Sequence, residues 1–156
     1  MKIIAFDQSS NVTGWCVVTD GNYVESGVID KKHIEDTNAR IGEMGVAICQ
    51  KIKETQPDAV VIEDIQNQGS IDTVVKLARL QGFILGWCHV HDLRIEIMRP
   101  SEWRKVLHFK QGAGVKRKEL KQQSIDYVTQ KYGTVLSEDE SEACCICEAA
   151  WKKYFK

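Results

Sequence analysis

The chain reads as an α/β protein whose mixed sheet joins an antiparallel hairpin to parallel strands and is flanked by helices on both faces. Three observations point there. The first thirty residues hold three apolar runs separated by turn residues: KIIAF, TGWCVVTD and YVESGVI. Two later runs, AVVIE and LRIEIM, are short, continuous and rich in β-branched residues, as strands buried on both faces are. Apolar residues elsewhere recur at helical spacing, and strands followed by alternating helix and strand is the order of a mixed sheet.

Each element has its own signal. Residues 2–6 form the first strand, which ends at Asp7, and Gly21-Asn22 marks the turn of the hairpin that follows. From about Ile34 to Thr55, the residues Ile41, Met44, Ile48 and Ile52 share one helical stripe, and Pro57 closes it. AVVIE at 59–63 is then a buried strand parallel to the first. Residues 70–89 form a helix with two apolar faces, Ile71, Val74, Val75, Ala78 and Leu85 on one and Leu77, Leu80, Ile84 and Cys88 on the other. One face can pack on the sheet while the other is left for a partner, and Gly82 and Gly86 would permit close helix approach. After LRIEIM, two or three helices finish the chain. Ser137 and Glu140 match a capping box, so the last helix begins near Glu138. Its apolar stripe of Ala143, Ile146, Cys147, Ala150, Trp151 and Tyr154 must face the core. No repeat, low-complexity tract or linker interrupts the 156 residues, and one domain spanning 1–156 is expected.

Composition excludes several classes. A chain with 43% hydrophobic and 28% charged residues is not disordered. No stretch approaches the ~20 apolar residues that cross a bilayer, and MKIIAFDQSS is too short and too soon acidic for a secretory signal, which points to the cytoplasm. The six cysteines lie in apolar periodic segments and read as reduced, buried thiols. Neither Cys88, His89 and His91 nor Cys144, Cys145 and Cys147 has the paired spacing of a zinc site, and His33 and His108 have no visible partner. The net charge of -1 hides an uneven distribution: residues 94–131 carry +6 and the remainder -7. That basic segment holds Arg99, Arg104, Lys105, Lys110, Lys116, Arg117 and Lys118. It reads either as solvated helix faces or as a phosphate-binding segment in which QGAGVKRK combines glycine-rich backbone with three cations.

The carboxylates carry the chemistry. Asp7 and Glu63 each stand at the C-terminal end of a buried strand, where α/β sheets open onto ligand crevices. Asp139 lies four residues before Ala143 and Glu142 four before Ile146, so both point along the inward stripe of the last helix. Glu138 and Glu140 point elsewhere and complement the helix dipole. Two inward carboxylates repel each other and lose hydration unless a cation sits between them. Mg²⁺ prefers carboxylate oxygens, and a pair of such ions ~4 Å apart can hold the attacking and leaving oxygens of a phosphodiester. The pattern is that of a four-carboxylate, two-metal nuclease.

DQSSNVTGW at 7–15, VVIED at 60–64, VVKLARLQGFILG at 74–86 and DESEACCI at 139–146 occur in the order and spacing of RuvC-like Holliday junction resolvases, and the chain resembles that family over nearly its whole length. PSEWR at 100–104 and the compact length look more like the bacteriophage branch. The resemblance implies an RNase H-like fold and a homodimer. It also implies Mg²⁺- or Mn²⁺-dependent cleavage of two opposed strands at a four-way DNA junction, leaving 5′-phosphate and 3′-hydroxyl ends. By the same resemblance, Asp7 would bridge two metals, Glu63 and Asp139 would complete the coordination shells, and Glu142 would bind one metal and orient water. Lys116 and Lys118 fall where the family places lysines at the scissile region, either of them matching.

Two departures stand out. Position 142 is usually Asp or His in this family, and Glu is one methylene longer. Bacterial members carry an aromatic wedge after the second acid, whereas here the stretch reads EDIQNQGS with no aromatic before Phe83. Stacking on an aromatic is worth ~1–3 kcal/mol per base, so looser selectivity among four-way, three-way and flap DNA is expected. Two other readings fit parts of this pattern. An actin-like or sugar-kinase-like ATP-binding module also opens with a strand, an aspartate and a hairpin but needs a second similar domain; a catalytically inert junction-binding protein would have no use for four carboxylates.

Overall fold

A computed structural model describes residues 1–66 and 69–156. Its five strands, β1 (Lys2–Asp7), β2 (Val12–Thr19), β3 (Asn22–Asp30), β4 (Ala59–Glu63) and β5 (Arg94–Met98), form one sheet in the order β3-β2-β1-β4-β5. β1, β4 and β5 are parallel, and β2 and β3 form the antiparallel hairpin. The hairpin turn is Asp20-Gly21, one residue earlier than the expected Gly21-Asn22, and Asn22 pairs with Thr19. Both turn residues have positive φ, 50° and 78°, the combination that a tight two-residue hairpin demands and that Asp-Gly supplies at low cost.

Helices α1 (Thr37–Thr55) and α2 (Ile71–Val90) cover one face; α3 (Pro100–Val106), α4 (Arg117–Tyr132) and α5 (Glu138–Ala150) cover the other, and a π-helical turn, Trp151–Phe155, ends the chain. α1 starts three residues later than its apolar pattern suggests, because Asp36 accepts the amide of Ala39 and fixes the cap there (2.7 Å). Its end is set by Gln56, whose left-handed backbone turns the chain toward Pro57.

Strand alternation divides the core. Ile4, Phe6, Trp15, Val17, Val60 and Ile62 face α1 and α2. Ile3, Ala5, Cys16, Val18, Ala59 and Val61 face α5 and its neighbours. Parity then places Asp7 and Glu63 on the α5 side, since they continue the series 3, 5, 7 and 59, 61, 63.

α5 is more deeply set than a one-stripe helix. Every residue from Ser141 to Ala150 is buried, because the sheet lies on one side and α3 and α4 close the others. Its Ala, Cys and Ser side chains are small enough for that enclosure. The single charge near its end, Glu148, is paired with Lys131 and Lys152. All six cysteines are buried and free, as expected.

Candidate active site

The C-terminal ends of β1 and β4 and the start of α5 meet at a cleft of about 680 Å³, and its walls include Asp7, Glu63, Asp139 and Glu142. Strand position, helix phase and cap therefore converge as the sequence implies. The capping box is formed: Ser137 accepts the amide of Glu140 (3.3 Å) and Glu140 accepts that of Ser137 (3.3 Å). Glu140 also accepts the Ser26 hydroxyl (3.1 Å), which ties the helix start to β3.

How α5 comes so near β1 was not foreseen from sequence. Gly14 is the register partner of Asp7 on β2. A Cβ at Gly14 would fall within 3.0 Å of the Asp139 carbonyl and 3.1 Å from the Glu140 nitrogen. The missing side chain lets the first turn of α5 rest directly on the strand beside Asp7. Only the presence of glycine in DQSSNVTGW hinted at it.

Glu63 is held at two points, also unforeseen. The side-chain amide of Gln8 donates to the Glu63 carbonyl (2.6 Å) and accepts its amide (3.1 Å), fixing the ends of β1 and β4 together. The indole of Trp103 donates to Glu63 Oε1 (2.8 Å).

The electrostatics follow from crowding. Burial is the first cause that drives the Asp7 carboxyl well above its ordinary range, followed by the charges of Glu63, Glu142 and Asp139, with a hydrogen bond shared with Glu142. Glu63 is pushed up to about 7, again chiefly by burial and then by Glu142, against the Trp103 hydrogen bond and the charges of Arg104 and Arg117. These are hard oxygen donors whose ionised forms are mutually repulsive, and a divalent cation fits that chemistry. Among the described residues, no group of three or more Asp, Glu, His or Cys side chains is already gathered as a metal site.

The cations of the basic segment divide between the cleft wall and the outer surface. Arg104 lines the cleft, with a guanidinium nitrogen 3.9 Å from Glu142 and its Nε buried without a partner. Of the QGAGVKRK cations, Arg117 is on the wall, and Lys116 and Lys118 are not. Lys116 precedes the helix and Lys118 is one residue out of phase; Arg117, Leu120 and Lys121 share the inward face at i, i+3 and i+4. Lys121, not singled out in the sequence, also pairs with Glu138 and so links α4 to α5. Arg99 is exposed beside Asp64 (3.8 Å), and Lys105 and Lys110 are exposed away from the cleft wall. The segment after Glu63 borders the cleft through Asp64, Ile65 and Gln66, while Asn67 and Gln68 of the wedge-lacking stretch lie outside the described residues.

Comparison with known proteins gives the family and the fold. Residues 3–142 match the family model for crossover junction endodeoxyribonuclease RuvC, a span that includes all four acids. The RuvC of Nitratidesulfovibrio vulgaris is 28% identical over 111 residues, covering 69% of this chain and 66% of that protein. That of Rickettsia akari is 24% identical over 150 residues, 94% of each. In structure, Thermus thermophilus RuvC in complex with Holliday junction substrate superposes with a TM-score of 0.78 at 14% identity, over 99% of this chain and 97% of that one. The fowlpox virus resolvase with Holliday junction DNA gives 0.71 at 14% identity over the whole of both chains. These matches bear on the family and the fold, not on the bacteriophage branch.

Proposed function

As this chain belongs to the RuvC family of crossover junction endodeoxyribonucleases, we propose that it hydrolyses branched DNA at the cleft lined by Asp7, Glu63, Asp139 and Glu142. The observation that carries this is the gathering of four carboxylates from β1, β4 and α5 into one cleft that also holds Arg104, Arg117 and Lys121. In the reaction a water oxygen bonds to phosphorus and the bond to the 3′-oxygen breaks. The products are a 5′-phosphate and a 3′-hydroxyl.

Two Mg²⁺ ions, with Mn²⁺ as substitute, would supply the positive charge that activates water and stabilises the leaving oxygen. Asp7 would contribute to both, Glu63 and Asp139 one each, and Glu142 would orient the water. The cation beside Glu142 is Arg104, with a guanidinium nitrogen 3.9 Å from its carboxylate. Arg117 and Lys121 on α4 would contact the phosphates on either side of the cut. Arg99, Lys105, Lys110, Lys116 and Lys118 would lie along the flanking duplex and supply affinity rather than chemistry.

A homodimer accounts for the exposed face of α2. Its inner residues Leu80, Ile84 and Cys88 are buried, whereas Ile71 is 83% and Val75 39% exposed, and Ala78, Gly82 and Gly86 are exposed in line with them. A twofold contact through this face would pair two sites for two opposed strands. Among the described residues no helix is long and apolar enough to cross a membrane. We place the working compartment in the cytoplasm, that of the host if the gene is carried by a phage, with residues 1–156 acting as one nuclease domain.

The test is cleavage of synthetic four-way, three-way, flap and linear DNA by the protein and by Asp7→Asn, with and without Mg²⁺. Metal-dependent cutting of several branched forms, abolished in Asp7→Asn with binding retained, is expected. Unchanged cutting by Asp7→Asn would exclude the mechanism; strict confinement to four-way junctions would exclude the looser selectivity.

A further inference from the structure

Trp103 is fully buried on α3, and its indole N–H donates to one side-chain oxygen of Glu63. The main chain of Glu63 is held separately by Gln8, so neither its backbone nor both its oxygens are free. The indole has little freedom to turn away. Arg104 lies over its face, 4.7 Å from the ring centroid, and Phe109 packs edge-on at 5.8 Å. An indole nitrogen is a donor only and carries no charge, so its capacity to donate does not change with the ionic state of the cleft.

A carboxylate with one oxygen so committed can offer the other to a metal but is a poor two-oxygen ligand. That distinction matters between cations. Mg²⁺ takes single oxygens at about 2.0–2.1 Å in octahedral geometry, whereas Ca²⁺ takes about 6–8 oxygens and readily uses both from one carboxylate.

Resting on the reading of Glu63 as a metal ligand, we propose that Trp103 is a positioning residue that holds Glu63 to one-oxygen coordination and thereby favours Mg²⁺ over Ca²⁺ at this site. The role belongs to the indole N–H and not to the bulk of the ring. Phenylalanine at the same place keeps most of the packing and frees the second oxygen.

The experiment measures metal binding by the metal-free protein without DNA, following displacement of Mn²⁺ by Mg²⁺ or Ca²⁺ through the electron paramagnetic resonance of free Mn²⁺. In Trp103→Phe, Mg²⁺ affinity should fall about tenfold, the usual effect of removing a ligand's hydrogen-bond partner. Ca²⁺ affinity should fall less or rise, so the Mg²⁺-to-Ca²⁺ preference shifts. An unchanged preference overturns the proposal. Glu63→Gln is the control on the underlying reading: if it leaves Mg²⁺ binding intact, Glu63 is not a ligand, whereas weakened binding there with an unchanged preference in Trp103→Phe defeats the indole role alone. Should Trp103→Phe not fold, the ¹⁵N-labelled wild-type protein decides. Its Trp103 indole resonance should keep a hydrogen-bonded shift through Mg²⁺ saturation, and loss of that shift would show Glu63 leaving the indole when metal binds.

Discussion

Replacing Gly14 with alanine adds one methyl group at the point where α5 touches the sheet. The new carbon would lie within 3.0 Å of the Asp139 carbonyl, against 3.4 Å for the start of ordinary contact, so strand and helix must separate by at least 0.4 Å. The obstacle is main chain on both sides and cannot rotate out of the way. Overpacking of this kind costs about 1–3 kcal/mol. For a chain of this size that corresponds to a fall in Tm of roughly 3–9 °C. The effect on cleavage should be larger than the stability loss alone implies, because the displaced turn carries Asp139 away from Asp7. If 1 Å of misplacement costs about 100-fold in rate, 0.4 Å costs about 6-fold or more. Thermal melting followed by circular dichroism, with junction cleavage at a temperature where the variant is fully folded, separates the two effects. A variant with wild-type Tm and wild-type rate would refute the close approach of α5 to β2, and with it the account of how Asp139 reaches the cleft.

The remaining predictions concern charge and assembly. Since Glu63 titrates near 7 when folded and near 4.5 when not, the folded state holds its proton more tightly. Its contribution to the stability of metal-free protein is therefore full below about pH 4.5 and lost as pH rises toward 7. Glu63→Gln should make that loss shallower, and denaturant titrations at pH 4.5 and 7.5 would expose an unaltered slope. Arg117→Ala should reduce the salt dependence of junction binding by about 0.9 in log K against log salt, one phosphate contact, while Lys118→Ala leaves the cleavage rate of bound DNA near wild type. Arg117→Ala should also slow cleavage of bound DNA, and equal rates for the two variants would contradict the helix phase assigned to α4. Val75→Glu on the outer face of α2 should yield a folded monomer by sedimentation velocity that no longer makes paired incisions; a persistent dimer would move the interface elsewhere.

Much of the site could be read from sequence because it depends on local rules. The ends of KIIAFD and AVVIE, and the cap SEDE before a small-residue helix, fix the positions of four acids through strand parity and helix phase alone. What escaped depends on contacts between distant residues. Trp103 meets Glu63 across 40 positions, and Gly14 meets the start of α5 across more than 120; no periodicity connects them. Which of the adjacent cations lines the cleft could not be told for a related reason. Lys116, Arg117 and Lys118 are equivalent by composition, and only the point where α4 begins decides that the middle one faces the cleft. The hairpin turn falls one residue earlier than expected because Asp20-Gly21 and Gly21-Asn22 are both turn pairs, and the pairing of Thr19 with Asn22 selects the first.

The shared parity of β1 and β4 limits how such a chain can change over time. Asp7 and Glu63 occupy the same face as Ile3, Ala5, Ala59 and Val61, so the two cleft acids and one core layer run in a common phase. Losing or gaining a single residue within either strand would turn its acid toward α1 and α2 and expel a layer of isoleucine and valine at the same step. Within β1 and β4, length can change only two residues at a time if both acids are to keep their face.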